Sequence, residues 1–308
     1  MASVRHFLTI AETPAPSLRR MLERAISLRT RPERTLLAGR TLLCLFEKSS
    51  LRTRISFEQG MRKLGGDVMS MSGPEVGIGG RESPRDIARV VSSMVDGVMA
   101  RVMMHDTLRE FAAVSSAPII NGLSDFAHPA QALADVLTVI DEFSPGKIDG
   151  IRGRTLAFVG DGNNVARSLG EACMMLGVNF AICSPSGYAL EAEWVARTQA
   201  LASGGAKIML TDDPVEAVLH ADAVYCDTFV SMGQEAERTE RLGAFKRYQV
   251  NAELMGQAPK HAIVLHCLPA SRGVEITDEM MDGPRSRVFP QAKNRMDAQM
   301  GLLAELLG

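Results

Sequence analysis

The sequence predicts an α/β protein of two domains, each a parallel sheet flanked by helices, with the C-terminal helix packing back on the first domain. Three observations predict it. Short apolar runs without helical period alternate with amphipathic helical stretches throughout the 308 residues, the pattern left by parallel sheets covered on both faces. A turn-rich polar segment, Ser144-Pro145-Gly146 through Gly153, interrupts that alternation near the middle of the chain, and the length suits two domains of about 150 residues each. A last helical stretch, Ala292 to Leu307, follows a polar turn and is free to return to the first half. The expected division is 1–146 joined by 290–308, and 147–289.

In the first half, Ser17 to Leu28 reads as a helix with Leu18, Met21, Leu22, Ala25 and Ile26 on one face. Arg29 to Arg34 reads as a solvated basic connection. Thr41 to Phe46 is a continuous apolar run, hence a buried strand. A helix follows it and stops at Gly65-Gly66. Asp67 to Met71 is a strand, and Ser72 to Gly80 a glycine-rich loop expected to be mobile. Ser83-Pro84 opens a helix. Val98 to Met103 is a strand carrying Arg101, His105 to Ala113 a helix, Ile119-Ile120 a short strand, and Pro129 to Phe143 a helix. In the second half, strands are expected at Thr155–Val159, Val178–Cys183, Lys207–Leu210, Ala223–Tyr225 and Ala262–Leu265. Helices are expected at Val165–Leu176, Leu190–Ala202, Pro214–Leu219 and Glu235–Tyr248.

Composition narrows the function classes. Charged residues make up 23% and the net charge is −2, so no basic excess points to nucleic acid. The five cysteines are odd in number and show no zinc-type spacing, which reads as free thiols in a reducing compartment. No run approaches a membrane span. A cytoplasmic enzyme or binding protein is the expectation. The 18 methionines read as core filler.

Five stretches carry candidate chemistry. Ser50-Leu51-Arg52-Thr53-Arg54 lies where a strand gives way to a helix. Free backbone N–H groups, hydroxyls and guanidinium groups there suit a phosphate; taken alone, an ordinary helix cap fits as well. His128 and Gln131 share one face at the mouth of the helix that Pro129 begins. Gly160-Asp161-Gly162-Asn163-Asn164 follows a strand and opens like a dinucleotide fingerprint. Val165 stands where the third glycine belongs, however, and no acidic residue ends the next strand, so two asparagine amides at a helix start better suit a small polar ligand. Asp227 and Ser231-Met232-Gly233 follow another strand end, where Asp227 pairs with an ammonium or simply caps. His266-Cys267-Leu268-Pro269 ends a further strand, and a cysteine in such a place is either structural or reactive. His6, His105, His220 and His261 have no partner in sequence and read as structural or surface residues.

Together these stretches, in this order from residue 46 to 269 and extended by Asn294-Arg295, resemble the aspartate/ornithine carbamoyltransferase family. The resemblance implies that Ser50, Leu51, Arg52, Thr53, Arg101, His128 and Gln131 bind carbamoyl phosphate, joined by Arg295. It implies that Asn164, Asp227, Ser231, Met232, Cys267 and Leu268 hold ornithine, and that Cys267, Arg101 and His128 act at the reacting atoms. It assigns the first domain to carbamoyl phosphate and the second to ornithine. No metal or organic cofactor and a homotrimeric assembly come with it. Leu51 stands where the family usually has threonine. Pro74 lies near the place where family members often carry a glutamine that reaches a neighbouring subunit, so that contact is not expected here.

The reaction implied is acyl transfer from a mixed anhydride to the side-chain amine of ornithine. An ammonium is no nucleophile, and its deprotonation at pH 7 costs about 4 kcal/mol. Asp227 and a Cys267 thiolate are the expected acceptors of that proton. Putrescine or an acylated ornithine is the nearest rival substrate. A NAD-dependent oxidoreductase and a fold that has lost its activity are the more distant alternatives.

Overall fold

The structure, a computed structural model, describes residues 4–78, 82–231 and 234–308. Two compact units divide the chain, Met1–Ala134 with Lys293–Gly308, and Asp135–Ala292.

The first unit runs α1 (Ala15–Leu28), β1 (Thr41–Phe46), α2 (Leu51–Lys63), β2 (Asp67–Ser72), α3 (Gly73–Val76), α4 (Pro84–Ser92), β3 (Gly97–Arg101), α5 (His105–Ala112), β4 (Ile119–Leu123) and the start of α6 (Pro129–Phe143). Its four strands lie in the order β2-β1-β3-β4, all parallel. The central strands β1 and β3 are apolar because both their faces are covered. Leu43, Leu45, Val98 and Ala100 pack with Ile87, Leu108 and Phe111 from the flanking helices. The edge strand β2 leaves Met69 and Met71 exposed. With Met94, Met103 and Met104, also exposed, they depart from the expectation that the methionines fill the core.

The second unit contains the remainder of α6, then β5 (Thr155–Val159), α7 (Asn164–Leu176), β6 (Asn179–Cys183), α8 (Ala192–Gln199), β7 (Ile208–Thr211), α9 (Pro214–Val218), β8 (Ala223–Cys226), α10 (Arg238–Ala244), α11 (Ala252–Gln257), β9 (Ile263–His266), α12 (Asp278–Asp282) and the first turns of α13 (Val288–Leu307). Five parallel strands take the order β7-β6-β5-β8-β9, so β5, β8 and β9 are neighbours.

From Lys293 onward α13 belongs to the first unit, as the sequence predicts. There it approaches α1 so closely that a Cβ on Gly301 would lie 2.0 Å from the Met21 carbonyl oxygen; only glycine fits. Near its end Glu305 is gripped by Arg20, at 2.7 Å, and by Arg5, at 3.0 Å. Both cations stand by the last turn of the helix, where positive charge is favoured.

Two expectations need correction, and two helices were not foreseen. Part of the glycine-rich loop is the helical turn α3, held by the Glu75 carboxylate, which accepts from the Ser72 hydroxyl at 2.6 Å; residues 79–81 lie outside the described residues. The helix expected over Glu235–Tyr248 is broken into α10 and two flanking 3-10 turns, Glu235–Glu237 and Lys246–Tyr248. Burial of Phe245 and Tyr248, with the Tyr248 hydroxyl donating to the Asp212 carbonyl at 2.9 Å, outweighs helix propensity there. The short helices α11 and α12 escape the sequence pattern because fewer than two turns leave no period to read.

Candidate active site

In the first unit the candidate residues gather at the carboxyl ends of the strands, where open parallel sheets bind ligands. Ser50 is the N-cap of α2, and its side chain accepts from the Thr53 N–H at 3.3 Å. Its own hydroxyl hydrogen is left to donate to an anion. Leu51 is the first residue of the helix and is 70% exposed, so what it can offer an anion is its first-turn backbone N–H. Leucine offers no side-chain hydroxyl at this position. Arg52 is half-buried on the first turn. The second guanidinium of the stretch, Arg54, turns outward to Glu58 at 2.9 Å.

Deeper in the same unit, Thr53, Gln131 and Arg295 are buried together. Arg295 donates to the Thr53 hydroxyl at 2.7 Å and to the Gln131 side-chain oxygen. One guanidinium from the end of the chain thus ties α2 to α6. Arg101 ends β3, opposite Phe46 of β1, and is buried. His128, just before α6, is buried too. Burial first, then the positive charges of Arg295 and Arg101, hold its pKa well below the usual histidine value. It is a neutral imidazole beside two guanidinium groups, able to donate a hydrogen bond without adding charge.

The second unit's candidates come from the carboxyl ends of β5, β8 and β9. The Asp227 carboxylate is the hub. One oxygen accepts from Asn163 Nδ2 at 2.8 Å. The other accepts from the Thr228 N–H at 2.8 Å and from the Cys267 thiol at 2.9 Å. Asn163 also caps α7, its Oδ1 accepting from Val165 and Ala166 at 3.0 and 3.1 Å. Asn164, the expected ligand, is the first residue of that helix. The turn before it is crowded: a Cβ on Gly162 would lie 2.7 Å from the Leu190 nitrogen. Ser231 donates its backbone N–H to Gln234 at 2.9 Å, and Met232 lies outside the described residues. Leu268 sits at φ 59°, a region that L side chains seldom occupy and that marks strain held at a site. Its N–H donates to His266 Nδ1 at 2.9 Å.

The expected thiolate is not what this geometry holds. Burial first, and then the negative charge of Asp227 and the thiol's own hydrogen bond to it, push the Cys267 pKa well above the ordinary thiol value. The sulfur keeps its proton and donates it to Asp227. A reactive thiolate needs positive neighbours, and the nearest charge here is a carboxylate. Asp227, His266 and Cys267 offer ligand atoms within 4.8 Å of one another, the one metal-like grouping among the described residues. Those donors are already engaged. His266 Nδ1 accepts from Leu268, and Nε2 lies 3.3 Å from Glu275 Oε1. That pattern assigns a neutral ring with its proton on Nε2.

Sequence reasoning named Asn163 with Asn164 as a ligand amide but missed its role as the cap of α7 and the partner of Asp227, and it passed over Gln234 and Glu275. The cap had a readable signal, an asparagine directly before a helix; Gln234 and Glu275 act through loop geometry that no periodicity marks. The remaining histidines are structural or superficial: His105 Nδ1 is 2.8 Å from the Ser124 hydroxyl, His6 accepts from the Ile119 N–H, and His261 is an exposed partner of Asp222.

Residues 5–141 match the family model described as "Aspartate/ornithine carbamoyltransferase, carbamoyl-P binding domain", and residues 152–306 match its "Asp/Orn binding domain". A Bacillus subtilis protein named ornithine carbamoyltransferase is 45% identical over 98% of this chain and 94% of its own length. One of the same name from Methanopyrus kandleri is 44% identical over 99% and 98%. The solved ornithine carbamoyltransferase of Pyrococcus furiosus superimposes with a TM-score of 0.93 at 40% identity, covering 99% of this chain and 98% of that one. Both family models, in chain order and on the units whose strand ends carry the two residue clusters, lead to a single conclusion: the chain belongs to the aspartate/ornithine carbamoyltransferase family.

Proposed function

We propose that the chain transfers the carbamoyl group of carbamoyl phosphate to the side-chain amine of L-ornithine, giving citrulline and phosphate. The observation that carries this reading is the Asp227 carboxylate, buried at a strand end and aligned by Asn163, Thr228 and Cys267. It is a ready acceptor for an amine, in a chain whose other unit gathers Arg52, Arg101 and Arg295.

The first unit binds carbamoyl phosphate. Ser50, the first N–H groups of α2, Arg52 and Thr53 hold the phosphate as its charge grows on leaving. Arg101, His128 and Thr53 supply donors to the carbonyl oxygen, which becomes an oxyanion in the transition state. Gln131 and Arg295 fix Thr53 and contribute further donors. The second unit binds ornithine, with Asn164, Ser231 and Met232 on the α-amino and α-carboxylate ends and Asp227 on the side-chain amine. Leu268 packs along the methylene chain. The amine must shed its proton before it attacks. With the thiol protonated, Asp227 is the acceptor at hand, and Cys267 serves as the donor that holds that carboxylate in place.

Among the described residues no helix is long and apolar enough to cross a membrane; the free cysteines fit a reducing cytoplasm. The active assembly is a homotrimer. The exposed side chains of Leu51 and Ile55 on α2 and of Met69 and Met71 on β2 support burial against another copy. Sedimentation equilibrium tests the assembly. Purified protein given carbamoyl phosphate and ornithine should form citrulline, measured by colour or mass; turnover on putrescine or an acylated ornithine but not on ornithine would overturn the substrate assignment.

A further inference from the structure

Arg241 belongs to α10, outside every stretch that the sequence singles out, yet it is buried, at 4% exposure. Its Nε donates to the Phe229 carbonyl oxygen at 2.7 Å. A terminal nitrogen pairs with the Asp161 carboxylate, and Glu237, from the 3-10 turn just before α10, approaches at 3.4 Å. The guanidinium also lies over the Tyr188 ring, 4.9 Å from its centroid. The Tyr188 backbone carbonyl in turn accepts from the Gly162 N–H at 2.8 Å.

These contacts join three chain segments. Asp161 and Gly162 belong to the turn that presents Asn163 and Asn164. Phe229 lies between Asp227 and Ser231. Tyr188 closes the loop between β6 and α8. A planar fork meets a carbonyl and a carboxylate with donors in fixed directions; a lysine keeps the charge but not that geometry. Burial raises the Asp161 pKa, and the positive charge of Arg241 works against that rise. The ion pair therefore sits directly behind the turn and the loop assigned to ornithine.

We propose that Arg241 is a positioning residue for the amino-acid substrate: it locks the Gly160–Asn164 turn to the Asp227–Ser231 loop, so that the asparagine amides and the Asp227 carboxylate keep one fixed spacing. The inference rests on the ornithine reading of the second unit. The test is steady-state kinetics of Arg241→Lys, of Arg241→Met and of the doubly neutralised Asp161→Asn/Arg241→Met, beside the parent protein, with melting temperature measured in parallel. Arg241→Lys keeps the charge and loses the fork. Its KM for ornithine should rise at least about tenfold, as expected for losing one hydrogen bond of a charged group, while KM for carbamoyl phosphate stays within about twofold. The double variant removes the buried charges together. It should recover melting temperature relative to Arg241→Met alone and still show the raised ornithine KM. Recovery of that KM along with stability would mean that the pair only balances charge, and the inference would fail. An unchanged ornithine KM in Arg241→Lys would sink it directly. A parent protein that forms no citrulline at all would instead count against the ornithine reading itself.

Discussion

Replacing Asp227 by asparagine changes no volume and removes one charge, so the structure alone sets the expected cost. The two carboxylate oxygens accept from Asn163 at 2.8 Å, from the Thr228 N–H at 2.8 Å and from the Cys267 thiol at 2.9 Å. An amide must place its NH2 at one of these positions. At the first it faces the Asn163 NH2, donor against donor. Asn163 can turn over only by surrendering the cap it gives to the Val165 and Ala166 N–H groups, a loss of about 1 kcal/mol. At the second it faces a backbone N–H that cannot rotate, and the unsatisfied donors cost about 1–3 kcal/mol. The cheaper route sets the loss of stability, about 1 kcal/mol, read from urea denaturation. The larger effect falls on substrate. An ammonium that loses its carboxylate forfeits about 1.5–3 kcal/mol, or about 10- to 150-fold. Initial rates at saturating carbamoyl phosphate should show ornithine KM raised by that factor, with kcat reduced as well because the proton acceptor is gone. An Asp227→Asn protein whose ornithine KM and kcat stay within about twofold of the parent would refute both the seat and the proton path.

Thr53→Val keeps the shape of a buried residue and strips the hydroxyl that accepts from Arg295 at 2.7 Å. KM for carbamoyl phosphate should rise about tenfold, with ornithine KM little changed; the reverse pattern would disprove the assignment of Thr53 to the anhydride. Because the Cys267 thiol is pushed well above its ordinary value by burial and Asp227, iodoacetamide at pH 8 should label it more than about tenfold slower than free cysteine. Peptide mass mapping reads the site, and rapid labelling would contradict a protonated sulfur. Asp222 gives a pH test of stability. Burial raises its pKa, but the Thr155 N–H, His261 and Arg154 together outweigh that and hold it below the usual value. A depressed native pKa stabilises the fold above the unfolded value of about 3.9 and loses that contribution as pH falls through the native one. Asp222→Asn should therefore be less stable than the parent at pH 7, with the gap closing below about pH 4; a gap independent of pH would exclude a charge effect.

Much of this protein was legible before any coordinate. The central strands of both sheets are apolar runs because each is buried on both faces, and burial writes itself into composition. The starts of α4 and α6 are marked by proline, and those of α2 and α7 by capping side chains, which act within a few residues. The short stretches around Ser50, His128, Asn163, Asp227 and Cys267 stood out because each lies where a strand ends. What tertiary structure alone decided depends on groups far apart in the chain. Arg295 reaches back across more than two hundred residues to Thr53, and Arg241 bridges Asp161 and Phe229. The protonation of Cys267 could not be read from its histidine neighbour in sequence. His266 spends both nitrogens elsewhere, and the charge that governs the thiol belongs to Asp227, forty positions away. A residue's local conformation is set by its neighbours along the chain, while its charge state and its partners are set by whatever folding brings within a few ångströms in a medium too dry to screen them.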